Sequence, residues 1–133
     1  MSDYLNPEPV PAPDTTIFWE AAKQGRLLLK QCRNCGKPHW YPRQLCPFCF
    51  SVDTDWIEAS GKGEIYSFCY MRKAAAPYVL AYVTLAEGPT MMTNIVDADI
   101  GSLYTGQKVE VDFRKSVGEW SVPLFRPSGP GSL

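Results

Sequence analysis

Two Cys-x-x-Cys pairs, Cys32/Cys35 and Cys46/Cys49, constrain this chain more than any other feature. Ten residues separate the pairs, with Gly36 directly after the first and Pro47 inside the second. A knuckle of this kind turns both sulfurs toward one point while nearby backbone amides face them. Two knuckles supply four soft ligands in the tetrahedral arrangement zinc accepts, and they leave no open position for a substrate. The spacing is shorter than the roughly fifteen to twenty residues common for such sites, yet it accommodates a short hairpin. Iron in a rubredoxin-like site uses the same ligands; two disulfides or unconnected thiols are the other readings. A closed four-sulfur site holds a fold together and does not hydrolyse anything.

The chain has 133 residues, enough for one domain or a small module with a modest core. Its start lacks a charged segment followed by an apolar run, and no stretch approaches membrane-spanning length. The expectation is a cytoplasmic protein, where paired cysteines read as metal ligands rather than disulfides. A fifth cysteine, Cys69, lies among Tyr66, Phe68 and Tyr70. It is expected to be a small buried hydrophobe, since no Cys-His-Asp grouping surrounds it.

The formal net charge is −1, so nothing global steers the chain toward nucleic acid. The charges are nevertheless segregated. Lys23, Arg26, Lys30, Arg33, Lys37 and Arg43 precede or surround the knuckles, and Asp53, Asp55, Glu58 and Glu64 follow them. The basic run reads either as a solvated face or as a site for a phosphate or an acidic partner.

Pro7, Pro9, Pro11 and Pro13 make residues 1–13 an expected flexible, extended tail. Asp14, Thr15 and Thr16 offer N-caps for a short helix over about 16–24, within a segment 14–25 that Gly25 ends. Residues 26–52 form the expected metal ribbon, with Arg26–Gln31 entering the first knuckle and Trp40–Pro42 as its hairpin partner. His39, between the knuckles, is a spare ligand in a shell four thiolates already fill. From there to residue 126 the period is two, with strands at about 63–71, 78–85, 90–96, 108–113 and 120–125. Asp55–Glu58 reads as an extension of the first of them. Val109, Val111 and Phe113 alternating with Lys108, Glu110 and Asp112 show the pattern best. Five short strands without intervening helices suit a small closed Greek-key barrel such as the OB-fold, with a sandwich fragment as the alternative. Residues 127–133 are an expected second flexible tail.

The fold class is therefore mainly β: a short N-terminal helix, a rubredoxin-like zinc ribbon, then a five-stranded OB-fold barrel over 53–126. The wording at the seams is more specific than this order. Phe18-Trp19-Glu20, Gly25-Arg26-Leu27-Leu28-Leu29, Tyr41-Pro42-Arg43, Trp56, Gly61-Lys62-Gly63-Glu64-Ile65-Tyr66-Ser67-Phe68, Ala76-Pro77-Tyr78-Val79 and Gly106-Gln107-Lys108-Val109 occur in register around the cysteines. The series resembles the acyl-CoA-associated family that joins a rubredoxin-like zinc ribbon to an OB-fold, domain-of-unknown-function family 35, over about residues 14–127. Tyr41-Pro42 stands where that family often has two prolines.

The resemblance implies a small, non-catalytic subunit of a thiolase-fold enzyme acting on acyl-CoA, a thiolase, acyltransferase or aldolase. The catalytic groups would sit on the partner, while this chain shapes the CoA channel and holds the assembly. The sequence agrees in lacking a nucleophile–base pair, an acid pair and a phosphate-binding glycine loop. The loops after the first and fourth barrel strands flank the usual OB ligand face. They carry Arg72-Lys73 and Arg114-Lys115, which are candidate contacts to the phosphates of CoA, with solvated loop charges as the other reading. Ile17, Phe18 and Trp19 on the short helix are candidate partner anchors, Trp19 equally a core residue where ribbon meets barrel. A nucleic-acid module built on the same two folds is the competing function, and it would require a basic face with stacking aromatics.

Overall fold

The computed structural model describes residues 9–128. The parts of the two expected tails at 1–8 and 129–133 lie outside the described residues. Helix α1 (Thr16–Lys23) buries Phe18, Trp19, Ala21 and Ala22. Thr15 occupies the N-cap position, but its hydroxyl turns back to donate to the Ala12 carbonyl instead of capping the helix. The other end closes as a Schellman motif. Gly25 adopts φ +78°, its N–H donates to the Ala22 carbonyl at 3.0 Å, and the Arg26 N–H donates to that of Ala21 at 3.0 Å.

The ribbon is a three-stranded sheet in the order β2 (Pro38–His39), β1 (Leu28–Cys32), β3 (Thr54–Glu58). Two expectations need correcting. The hairpin partner of β1 is the two-residue Pro38–His39, not Trp40–Pro42. Asp55–Glu58 does not extend a barrel strand: it pairs antiparallel with β1, placing Leu28 opposite Glu58 and Cys32 opposite Thr54.

That pairing explains the segregated charges. Two of the cations meet acids that follow the knuckles: Arg26 binds Glu58 at 3.1 Å, and Arg33, inside the first knuckle, binds Asp53 at 2.9 Å and Asp55 at 2.8 Å. Buried Lys30 lies over the Trp56 ring, 4.6 Å from its centroid, and donates to the Thr54 hydroxyl. Arg26, Lys30 and Arg33 are thus engaged within the ribbon, while Lys37 and Arg43 remain exposed on its surface, as a solvated face would leave them.

The remaining strands, β4 (Lys62–Met71), β5 (Tyr78–Leu85), β6 (Thr90–Ile95), β7 (Lys108–Lys115) and β8 (Ser121–Pro127), close a barrel in the order β4-β5-β6-β8-β7. β6 and β8 run parallel at Ile95/Phe125, and β7 returns to β4 at Lys62/Glu110. Val79, Ala81, Val83 and Leu85 on β5, with Met91 and Ile95 on β6, fill the interior by strict alternation.

In β4 the alternation slips. A bulge between Ile65 and Ser67 moves the inward face from odd to even positions, so Ile65 opposes Val83 but Phe68 opposes Ala81. Cys69 is thereby turned outward opposite Leu80 and is exposed, contrary to the expectation of a buried residue. Among the described residues no helix is long and apolar enough to cross a membrane.

Candidate metal centre and neighbouring surfaces

The ribbon brings Cys32, Cys35, Cys46 and Cys49 together with every sulfur within 4.8 Å of the others. Cys32 and Cys49 lie 3.6 Å apart and Cys35 and Cys46 3.7 Å apart, and none of the four is in a disulfide. A tetrahedron with metal–sulfur bonds of about 2.3 Å has edges of about 3.8 Å, so the set fits a closed four-thiolate zinc site.

The backbone supports that set twice over. The Cys35 N–H faces the Cys32 sulfur at 3.4 Å, and the Phe48 N–H faces the Cys46 sulfur at 3.4 Å. The Gly36 N–H donates to the Cys32 carbonyl and the Phe50 N–H to the Cys46 carbonyl, both at 2.9 Å. Gly36 and Phe50 take φ values of +80° and +66°. The first was legible as glycine; the second is a phenylalanine in a conformation glycine favours, and no sequence signal marks it.

Proton affinities are split among the sulfurs. The Asn34 side-chain amide donates to Cys49 at 3.5 Å and, with the Ser51 backbone amide, draws that thiol down to about 6. At Cys35 the Lys37 backbone amide also pulls downward. Burial and the three neighbouring sulfurs outweigh it and push the thiol up to about 11. Four thiolates this close repel one another, and a divalent cation at their centre relieves the conflict.

His39 is no part of the cluster. It is 2 % exposed, neither ring nitrogen has a hydrogen-bond partner among the described residues, and burial holds its pKa below the usual value.

Of the three candidate anchors on α1, two are internal. Phe18 is 0 % and Trp19 8 % exposed, stacked edge-on with each other at 4.9 Å, and Phe18 meets Trp40 at 5.1 Å. The helix lies on β1 and β8, so its aromatic side fills the ribbon–barrel junction. Ile17 alone remains exposed. Beside the junction, Phe18, Trp19, Trp40, Leu80, Met92 and Val122 help line an apolar cavity of about 300 Å³.

The candidate CoA cations are not brought together. Lys62, at the start of β4, pairs with Glu110 on β7, and β7 then runs on past that end to Arg114 and Lys115. Arg72 and Lys73 follow Met71, at the opposite end of β4. Arg114 is moreover engaged, donating to Asp97 and Asp112 at 2.7 Å each, and these carboxylates raise its pKa further. Arg72, Lys73 and Lys115 are exposed. On the outer face of β5 and β6, Tyr78, Leu80, Tyr82, Met92 and Asn94 include no cation, which leaves a nucleic acid its stacking surface without the charge it needs.

Comparison with known proteins bears on both halves. Residues 19–54 match the family described as the rubredoxin-like zinc ribbon domain of ChsH2, and residues 56–114 its C-terminal OB-fold domain. A DUF35 domain-containing scaffold protein of Methanothermobacter thermautotrophicus is 37% identical, over 77% of this chain and 83% of its own length. A probable enoyl-CoA hydratase alpha subunit of Thermomonospora curvata is 35% identical over 95% of this chain, which spans only 41% of that protein. The benzoylsuccinyl-CoA thiolase subunit BbsA of Geobacter metallireducens is 28% identical over 74% of each chain. Among solved structures, a chain of the Ltp2-ChsH2(DUF35) aldolase superposes with a TM-score of 0.81 at 34% identity, covering 92% of this chain and 100% of that one.

Proposed function

Because the chain belongs to the DUF35 family of rubredoxin-like zinc ribbon plus OB-fold proteins, we propose that it is a non-catalytic accessory subunit of a thiolase-fold enzyme acting on acyl-CoA. One observation carries the non-catalytic part. The chain contains a single histidine, His39, buried in the ribbon, while its one cysteine outside the metal cluster, Cys69, contacts only the Met71 sulfur among the described side-chain hydrogen bonds. Among the described residues, therefore, no thiol is paired with a base that could activate it. The thiolase-fold partner is inferred from the relatives: BbsA is a subunit of a thiolase, and the Ltp2-ChsH2(DUF35) protein is an aldolase. The ribbon, rigidified by zinc, and the barrel would hold the assembly and shape the channel for CoA.

The test is to purify the chain with whatever co-purifies from its native host, then to assay each component. The expected result is a thiolase-fold partner, with acyl-CoA turnover that needs that partner and none from this chain alone. Turnover by the isolated chain, abolished by Cys69→Ala, would overturn the reading.

A further inference from the structure

The two knuckles form an internal control. Their backbones repeat the same hydrogen bonds, and their closing residues share a positive φ. Their surfaces differ completely. The first presents Arg33, Asn34, Gly36 and Lys37; the second presents Leu45, Phe48, Phe50 and Val52, which are 44, 54, 70 and 75 % exposed. The position that glycine closes without strain in the first knuckle is held by phenylalanine in the second, in the left-handed region that L side chains enter at a cost. Phe50, 70 % exposed, recovers little of that cost by burial within this chain. A strained residue that contributes so little to its own fold points to a contact outside it.

We propose that the second knuckle is a plug by which this chain docks on its thiolase-fold partner, with the Phe48 and Phe50 rings entering an apolar pocket of that enzyme. The partner's identity rests on the function proposed above; the choice of surface rests on the knuckle itself. Exposed cations flank the plug: Lys37 sits over the Phe48 ring, 5.1 Å from its centroid, and Arg43 precedes Leu45. A receiving pocket with an acidic rim complements them. A second copy of this chain does not, because it would set Lys37 and Arg43 against themselves. Two cations on a chain of net charge −1 are also too few to hold a lone apolar tip on an anionic membrane.

The test uses the full chain in its zinc-loaded form and the thiolase-fold enzyme that co-purifies with it, separated and titrated against Phe48→Ser, Phe50→Gly and the barrel-face control Tyr82→Ser. The proposal expects Phe48→Ser and Phe50→Gly each to weaken binding at least about tenfold, and Tyr82→Ser to leave it unchanged. It expects Phe50→Gly to keep its metal and to unfold at the same or a higher temperature than wild type. Wild-type binding by both knuckle variants overturns the docking surface and leaves the proposed function intact. If no thiolase-fold enzyme binds the wild-type chain, the function fails and the plug has no occupant. Should the variants lose metal, Lys37→Glu and Arg43→Glu decide: weakened binding supports the plug, and unchanged binding refutes it. Self-association or vesicle binding that Phe50→Gly abolishes would likewise overturn it.

Discussion

The ring of Phe18, on α1, meets that of Trp40, just beyond β2, with centroids 5.1 Å apart and planes inclined at 62°. This contact and the adjoining Trp19 tie the helix to the ribbon, while the helix also rests on β8 of the barrel. The two modules thus share one apolar core rather than being strung on a linker.

The first prediction follows from that junction. Phe18→Ala should cost about 3–5 kcal/mol, the usual range for removing a buried aromatic ring. Ile17→Ala, at a position 55 % exposed, should stay within about 0.5 kcal/mol. Denaturant unfolding of both variants measures this; a Phe18→Ala loss below about 1 kcal/mol would show that the junction is not a packed core.

The helix also shows where sequence reading stops. Its existence and its end at Gly25 were legible from residue order alone. Which aromatics are buried was not, because that depends on Trp40 and β8 arriving from elsewhere in the chain. The ligand cysteines were legible because their spacing is local. The outward turn of Cys69 was not, because one bulged residue at Ile65–Ser67 reverses the face of everything after it. The ion pairs of Arg26 and Arg33 depend on β3 crossing to β1, a pairing that the order of residues 55–58 does not specify.

The second prediction concerns the metal. The purified chain should carry one zinc, held by Cys32, Cys35, Cys46 and Cys49. The free energy of such sites in isolated peptides is on the order of ten kcal/mol, comparable to the stability of a whole domain. Cys46→Ser should therefore lose the metal and the order of the ribbon, read as zinc content and as exchange protection of β1 and β3. Folded wild-type protein without metal by elemental analysis, after purification free of chelators, would rule the site out.

The third concerns pH. Asn34 and the Ser51 amide lower the proton affinity of Cys49 and so favour its thiolate. A depressed thiol contributes stability at pH values above its unfolded value and loses that contribution as pH falls through the folded one. Removing the Asn34 donor raises the proton affinity, and protons then compete with zinc at a higher pH. Asn34→Ala should move the midpoint of acid-induced zinc release upward by roughly half a pH unit. A chromogenic chelator followed across pH 3–7 reads the shift, and a midpoint at or below that of wild type contradicts the assignment.

The last prediction separates the four candidate CoA cations. Arg114 is held between Asp97 and Asp112, and Lys115 lies at the same end of β4, remote from Arg72 and Lys73. One nucleotide cannot draw on both ends of the strand, so the proposed phosphate contact is narrowed to the exposed pair in the β4–β5 loop. Charge-assisted bonds to phosphate are worth roughly 1.5–3 kcal/mol each where water is largely excluded. In the reconstituted complex, Arg72→Ala/Lys73→Ala should therefore raise KM for acyl-CoA by about tenfold or more while leaving kcat nearly unchanged, because the nucleotide is remote from the reacting bond. Arg114→Ala should act differently. It leaves Asp97, just beyond β6, and Asp112, on β7, without their shared cation. Its effect should appear as lowered stability of the free chain, with KM close to wild type. Steady-state kinetics and unfolding of both variants decide the matter. A KM effect confined to Arg114→Ala would move the CoA site to the β7–β8 end, and no KM effect in either, with the complex intact, would leave CoA binding to the partner alone.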